Sequence, residues 1–249
     1  MKLEDIRIIG VVGGGVMGSG IAQTMALAGY RTILRDINAE VLEKTKNAIV
    51  EGRFGLKNGV ERGKISQGQM ERALANLIFT DRMGDLRDCD LVIETVPENM
   101  ELKQKVVAEL DRIVKKEAIL ASNSSALTHA EISRDVKRKD RYLGWHWASP
   151  ANIMKMAELI YTADTSEEVI QLVEALCRRF DKISVRVKDV PGNTGYVGNR
   201  IYAAIIREAQ KIVDEGIATP EDIDTVMTTG WNWPTGPFGM TRGARRGWA

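Results

Sequence analysis

Cysteine is scarce in this chain of 249 residues: Cys89 and Cys177 stand far apart, with no Cys-x-x-Cys pair and no Cys/His spacing of the metal-ligand kind. That excludes a disulfide-stapled scaffold and a zinc module, suits a reducing compartment, and leaves both thiols to be read as small buried apolar groups. Histidine is equally scarce. Only His129 and His146 are present, so the search for a general base that titrates near neutral pH has two candidates. An excess of charge is missing too. With 35 Lys and Arg against 34 Asp and Glu, there is no general field to attract nucleic acid or an anionic membrane. No uninterrupted apolar run approaches the ~18 residues of a membrane span, and the acidic start Met1-Lys2-Leu3-Glu4-Asp5 does not have the form of a secretory signal. At 44% hydrophobic and 28% charged residues, the composition excludes disordered and fibrous classes. The reading is a soluble cytoplasmic protein whose partner is a small molecule. The basic stretch Arg134, Lys137, Arg138, Lys139 and Arg141 is read as a solvated connection between a helix and a strand.

What is present is alternation. Ile6 to Val12 is a β-branched apolar run ending in Gly13-Gly14-Gly15, the pattern of a buried parallel strand entering a tight turn. A helix from Met17 to Ala28, stopped by Gly29, and a strand from Thr32 to Leu34 complete a βαβ unit. Further strands are predicted at Leu91–Thr95, Ala118–Ser122, Tyr142–Trp147 and Ile183–Val187. Helices are predicted at Val41–Val50, Gln67–Ala75, Leu102–Val114 and Glu167–Phe180. This pattern implies an α/β fold with a doubly wound sheet. Thr165-Ser166-Glu167-Glu168 and Thr219-Pro220-Glu221-Asp222 read as helix starts. After Val187 the pattern is helical only, with one helix from Gly195 to about Glu215 and another from Pro220 to about Met227. A domain boundary is therefore placed near Lys188, giving domains 1–188 and 189–249. The long helix carries apolar residues on two faces (Val197, Ile201, Ile205, Ile212 and Tyr202, Ile206, Ala209, Val213). So small a unit rarely buries two faces alone, which predicts a homodimer through this region.

Gly13-x-Gly15-x-x-Gly18 lies between a strand and a helix, where glycines make the turn, let backbone approach a pyrophosphate, and pack helix on sheet. Asp36, at the end of the second strand, can accept hydrogen bonds from ribose hydroxyls and repel a 2′-phosphate, which favours NAD over NADP. Arg35 beside it alternates to the other side. FAD uses the same fingerprint, so the loop alone does not name the cofactor. His129 sits in a polar helical turn and reads as a surface histidine. His146 ends an apolar strand, where ligand-binding groups collect in such sheets, although a packed core histidine fits the same position. Glu158 is a single carboxylate inside the apolar strand-like run Met156-Ala157-Glu158-Leu159-Ile160. A buried carboxylate is costly without a donor, and pairing it with His146 resolves both oddities. An imidazole oriented by a carboxylate can take the proton of a hydroxyl while hydride leaves the same carbon.

Together these segments resemble the L-3-hydroxyacyl-CoA dehydrogenase family. The match is carried by Gly13-Gly14-Gly15-Val16-Met17-Gly18, Asp90-Leu91-Val92-Ile93-Glu94-Thr95-Val96-Pro97-Glu98, Ala121-Ser122-Asn123-Ser124-Ser125, the His146 and Glu158 segments, Gly198-Asn199-Arg200 and Gly236-Pro237-Phe238. The resemblance implies a Rossmann-type, mostly parallel sheet followed by a small all-helical C-terminal domain. It implies NAD as cofactor, held by Gly13, Gly15, Val16, Met17, Gly18, Asp36 and Asn123, with Glu98 and Lys103 on the nicotinamide side. It also implies His146 as catalytic base with Glu158 as its orienting partner, Ser125 and Asn199 as hydrogen-bonding groups around the reacting oxygen, and Lys64 near the coenzyme A phosphates. The implied reaction is hydride transfer between NAD and C3 of an acyl-CoA. The alternatives are a dehydrogenase of a free hydroxy acid of the sugar-acid or carnitine type, and a dinucleotide-binding protein without catalysis. Three departures from the family pattern stand out. His146-Trp147-Ala148-Ser149-Pro150 replaces His-Phe-Phe-Asn-Pro, the segment 191–196 is longer, and the chain stops soon after Phe238. Trp231, Trp233 and Trp248 add bulk near that end and read as core or dimer packing.

Overall fold

The computed structural model of the chain describes residues 1–190, 192 and 195–245. Pro191, Asn193 and Thr194 of the connection 191–196, read from the sequence as longer than usual, and the tail residue Trp248 lie outside the described residues. The apolar runs become eight strands: β1 (Ile8–Val12), β2 (Arg31–Arg35), β3 (Leu77–Thr80), β4 (Leu91–Glu94), β5 (Ile119–Ser122), β6 (Tyr142–Trp147), β7 (Met156–Tyr161) and β8 (Ile183–Lys188). They form one sheet in the order β3-β2-β1-β4-β5-β6-β7-β8. Every neighbouring pair is parallel except β6 with β7. The order doubles back between β1 and β4, so the crevice beyond their C-terminal ends is where a nucleotide fits.

The helices that cover the sheet are α1 (Val16–Leu27), α2 (Ala39–Glu51), α3 (Leu56–Glu61), α4 (Gln67–Asn76), α5 (Met100–Ile113), α6 (His129–Ile132) and α7 (Glu167–Arg179). Because strand side chains alternate, β6 sends Leu143, Trp145 and Trp147 into a core layer shared with α1 and α7. Tyr142 enters the opposite layer, shared with α5 and Ile132 of α6. Gly144 and His146 share Tyr142's face of the strand. Ser166 caps α7 by accepting from Val169 N, so the helix start predicted at Thr165–Glu168 falls on its second residue.

Two thiols sit in these layers. Cys89 and Cys177 have no exposed surface, and burial pushes both up to about 12. Since the thiolate is the reactive form, neither is expected to label with a disulfide reagent in the time that an unfolded control labels fully. Labelling of the native protein at a comparable rate would contradict this packing. In the basic connection Arg134 and Lys137 are exposed, as a solvated stretch requires, but Arg138 is not. Arg138 donates from Nε to Asp111 Oδ1 at 2.7 Å and to backbone carbonyls at the end of α5, completing acceptors that a helix C-terminus leaves open. No helix among the described residues is long and apolar enough to cross a membrane.

The chain divides into two compact units, Met1–Thr194 and Gly195–Ala249. The second consists of α8 (Val197–Asp214), α9 (Pro220–Gly230) and α10 (Pro237–Arg245). Thr219 caps α9 ahead of Pro220, as its sequence predicts, and Asp222 completes a reciprocal box with it. Asp224 of α9 accepts from Phe238 N and Gly239 N at 2.9 Å each, which holds the Gly236-Pro237-Phe238 turn. A Cβ at Gly236 would lie 2.3 Å from Asp224 Cα, so this turn admits only glycine there. Trp231 is exposed in the unit taken by itself.

Candidate active site

The turn after β1 gives each glycine a separate task. Gly13 has φ +100°, a conformation L side chains rarely adopt. A Cβ at Gly18 would fall 1.8 Å from Gly13 O, so α1 can rest on the turn only without one. Gly15, the N-cap of α1, has open space where its Cβ would be and no side-chain cap. The first N–H groups of a helix have no intrahelical acceptor, and here they face a gap into which an anion can move. The loop carbonyls are bonded on the protein side: Thr95 Oγ1 donates to Gly13 O at 2.8 Å and Thr45 Oγ1 to Gly14 O at 2.8 Å. Asp36, just past β2, accepts from Gly14 N and from Ile37 N at 2.6 Å. Arg35 turns away and donates to Asp81 O at 3.3 Å. These features fit a dinucleotide with an unphosphorylated 2′-hydroxyl.

Beyond β4 lies a charge network. Glu94, with no exposed surface, accepts from Lys103 Nζ at 3.1 and 3.2 Å and from Ser122 Oγ. Burial raises its carboxyl above the usual range, with Lys103 and Ser122 pulling it back. Lys103 is itself buried and also donates to Val96 O at 3.0 Å and pairs with Glu98 at 3.5 Å. Glu98 in turn gathers Ser124 Oγ at 2.5 Å and the N–H groups of Ser125 and Ala126 at 3.0 Å. Burial pushes Glu98 up, but the Ser124 hydroxyl, Lys103 and the two N–H groups outweigh it, and the carboxyl ends below its usual value. The loop that carries Ser125 is thereby fastened to the start of α5. Glu94, which anchors this network, and Thr95, which holds the glycine turn, were not singled out as site residues from the sequence. Glu94 carries the same signal that found Glu158, a lone carboxylate in an apolar strand.

His146 and Glu158 are direct partners across the antiparallel β6–β7 pair. Nδ1 of His146 lies 2.8 Å from Glu158 Oε2, with the residues 7% and 1% exposed. Asn123, at the end of β5, accepts from Trp147 N at 2.9 Å. Trp147 is a core residue and not a cleft wall. Lys182 Nζ lies 4.8 Å from its ring centre and donates to Met154 O at 2.6 Å, and burial lowers this ammonium to about 8.

His129 is the clear correction, since it has no exposed surface. Its Nδ1 lies 2.9 Å from Tyr142 Oη, and burial, with Lys103 and His146 nearby, lowers its pKa from 6.5 to about 3. The sequence misleads because the polar turn is covered by β6, where Gly144 leaves room for the ring. A depressed pKa means that the unfolded chain binds the extra proton between about pH 6.5 and 3. Stability therefore falls as pH drops through that window, on the order of 4 kcal/mol at its end. A His129→Gln variant, compared with wild type by denaturant unfolding, is expected to lose that part of the slope. Parallel curves from pH 7 to 4 would contradict it.

Comparison with known proteins decides the family. A model described as 3-hydroxyacyl-CoA dehydrogenase, NAD binding domain, matches residues 8–190, and one for the C-terminal domain of the same family matches 195–245. The chain belongs to the 3-hydroxyacyl-CoA dehydrogenase family. It is 37% identical over 236 residues to a probable 3-hydroxybutyryl-CoA dehydrogenase of Bacillus subtilis, covering 95% of this chain and 80% of that one. It is 35% identical to the mitochondrial hydroxyacyl-coenzyme A dehydrogenase of Rattus norvegicus, covering 94% and 74%. The crystal structure of (S)-3-hydroxybutyryl-CoA dehydrogenase from Ralstonia eutropha superposes with a TM-score of 0.88 at 35% identity, covering 93% and 80%. The protein is an NAD-dependent oxidoreductase with the Rossmann-type sheet its sequence predicts. In this dehydrogenase the glycine loop, Asp36, the Glu98 loop, His146 and Glu158 all belong to the first unit. Asn199 lies exposed in the first turn of α8, in the second unit, and Lys64 is exposed between α3 and α4.

Proposed function

We propose that this dehydrogenase interconverts a 3-hydroxyacyl-CoA and its 3-oxoacyl-CoA, with His146 as the general base. The observation that carries the reading is the 2.8 Å pair between His146 Nδ1 and Glu158 Oε2 at the end of β6. With Nδ1 held by the carboxylate, the proton of the substrate 3-hydroxyl passes to Nε2, and Glu158 stabilises the imidazolium that forms. Bound NAD supplies the hydride acceptor for C3. Ser125 and Asn199 donate to the oxygen on C3 as it becomes a carbonyl, or as it gathers charge in the reverse direction. Gly13, Gly15 and Gly18, with Val16 and Met17 in the first turn of α1, hold the pyrophosphate. Asp36 holds the adenosine ribose, and Asn123, Glu98 and Lys103 shape the nicotinamide side, Lys103 through its bond to Glu98. Lys64 meets coenzyme A phosphate. The exposed row Val197 and Ile201 on α8 supports a homodimer through the C-terminal helices.

The test is NADH oxidation with a panel of 3-oxoacyl-CoA thioesters, short, long and aromatic. Turnover with at least one is expected, and no turnover with any would overturn the proposal. The cofactor assignment has its own check. Asp36→Ala is expected to weaken NADH binding about tenfold, the low end for one hydrogen bond to a charged group, and to narrow the preference over NADPH. An unchanged NADH/NADPH ratio would contradict the role of Asp36.

A further inference from the structure

Among the buried titratable groups that the mechanism above leaves unused is His129. Ser125 and His146 belong to different elements, the loop after β5 and the strand β6, and they act on one oxygen only if the spacing between those elements is fixed. Glu98 fastens the loop to α5, not to β6. Two ties join the loop to β6, one on each side of His146. Asn123 accepts from Trp147 N at 2.9 Å, one residue after it. The other tie is the His129 ring, four residues past Ser125 in sequence, which sits on Gly144, two residues before His146. The fit there is close. A Cβ on Gly144 would lie 2.1 Å from His129 Nε2 and 2.4 Å from Cδ2, so the ring occupies the volume that a side chain on the strand would take. Gly144 and His146 point to the same face of β6, and so does Tyr142, whose hydroxyl holds His129 Nδ1 at 2.9 Å.

We propose that His129 is a positioning residue that sets Ser125 against His146 by docking the loop onto β6. An apolar side chain could fill the same volume. The bond to Tyr142 adds direction, because it pins the ring at the start of the strand whose end carries the base. Burial keeps this ring neutral, so it bears no charge beside His146 at neutral pH. The inference rests on the proposed roles of Ser125 and His146, and its test separates the two.

The experiment is a double-mutant cycle on the full chain with a 3-oxoacyl-CoA and NADH, using His129→Ala, Ser125→Ala and the pair. His129→Ala is expected to lower kcat about 100-fold, the cost of a misplacement near 1 Å, with KM for NADH unchanged. His129→Gln, which can still bond Tyr142, is expected to recover most of the loss. The pair is expected to be little worse than Ser125→Ala alone, because both changes remove one contact. If His129→Ala does not fold, His129→Leu, which fills the volume without the Tyr142 bond, takes its place with the same expected loss. Ser125→Ala at wild-type kcat would remove the reading of Ser125 and this inference with it. A loss for Ser125→Ala but none for the His129 variant, or losses that multiply independently in the pair, would overturn the role of His129 alone.

Discussion

Replacing His146 by alanine is expected to lower kcat by about 10² to 10⁴ while leaving NADH binding unchanged, the range a positioned general base contributes. The argument is local. On β6 the imidazole has one nitrogen 2.8 Å from a carboxylate that is itself buried, so the ring is fixed in orientation and its cationic form has a counter-charge in place. Alanine removes the proton acceptor and leaves Glu158 buried beside a cavity, which adds a stability cost of a few kcal/mol. Glu158→Gln separates the two effects. The amide keeps the volume of the carboxylate but cannot offset the imidazolium charge, and its NH2 can donate to Nδ1 and leave the proton on Nε2, so kcat is expected to fall by up to about 10⁴-fold with the fold largely kept. Steady-state rates with NADH titrated by fluorescence provide the check. A His146→Ala enzyme within tenfold of wild type would remove His146 from proton transfer.

Gly18→Ala is expected to abolish useful NADH binding, by more than about 100-fold, and to lower the melting temperature as well. The new methyl would stand 1.8 Å from Gly13 O and 2.6 Å from Thr95 Oγ1, and the first of these contacts is backbone that cannot rotate aside. Either α1 lifts from the turn or the turn loses its bonds to Thr95. Gly15→Ala gives the informative contrast. Its φ of −64° suits alanine and its Cβ meets nothing, so the fold is expected to keep its melting temperature. The methyl nevertheless points into the space a pyrophosphate needs, and NADH affinity is expected to fall. If both variants bound NADH as wild type does, the loop would not be the cofactor site.

Much of this site was legible in the residues because its signals are local. The strand–Gly13–helix succession, the lone Glu158 in an apolar run and the strand-end position of His146 each follow from short-range pattern, and β6 and α7 fall at or within one residue of their predicted limits. What escaped depends on tertiary neighbours. Strand β3 is four residues, Leu77–Thr80, too short to show a period, and it exists because β2 offers it an edge. His129 read as exposed because its own turn is polar. The glycine that makes room for it is fifteen positions downstream, and nothing near His129 in sequence announces the pairing. Arg138 looked solvated for the same reason, since the helix end it caps belongs to α5. Glu94 was legible by the rule that found Glu158, but its partner Lys103 lies a helix turn into α5 and was read toward the cofactor.

The measurement that reaches the central claim most directly compares one 3-oxoacyl-CoA with its matched free 3-oxo acid, following NADH absorbance with the wild-type enzyme. The account predicts turnover of the thioester, with the free acid slower by orders of magnitude in kcat/KM. Equal or faster turnover of the free acid would contradict it and assign the same His146–Glu158 pair to a dehydrogenase of free hydroxy acids.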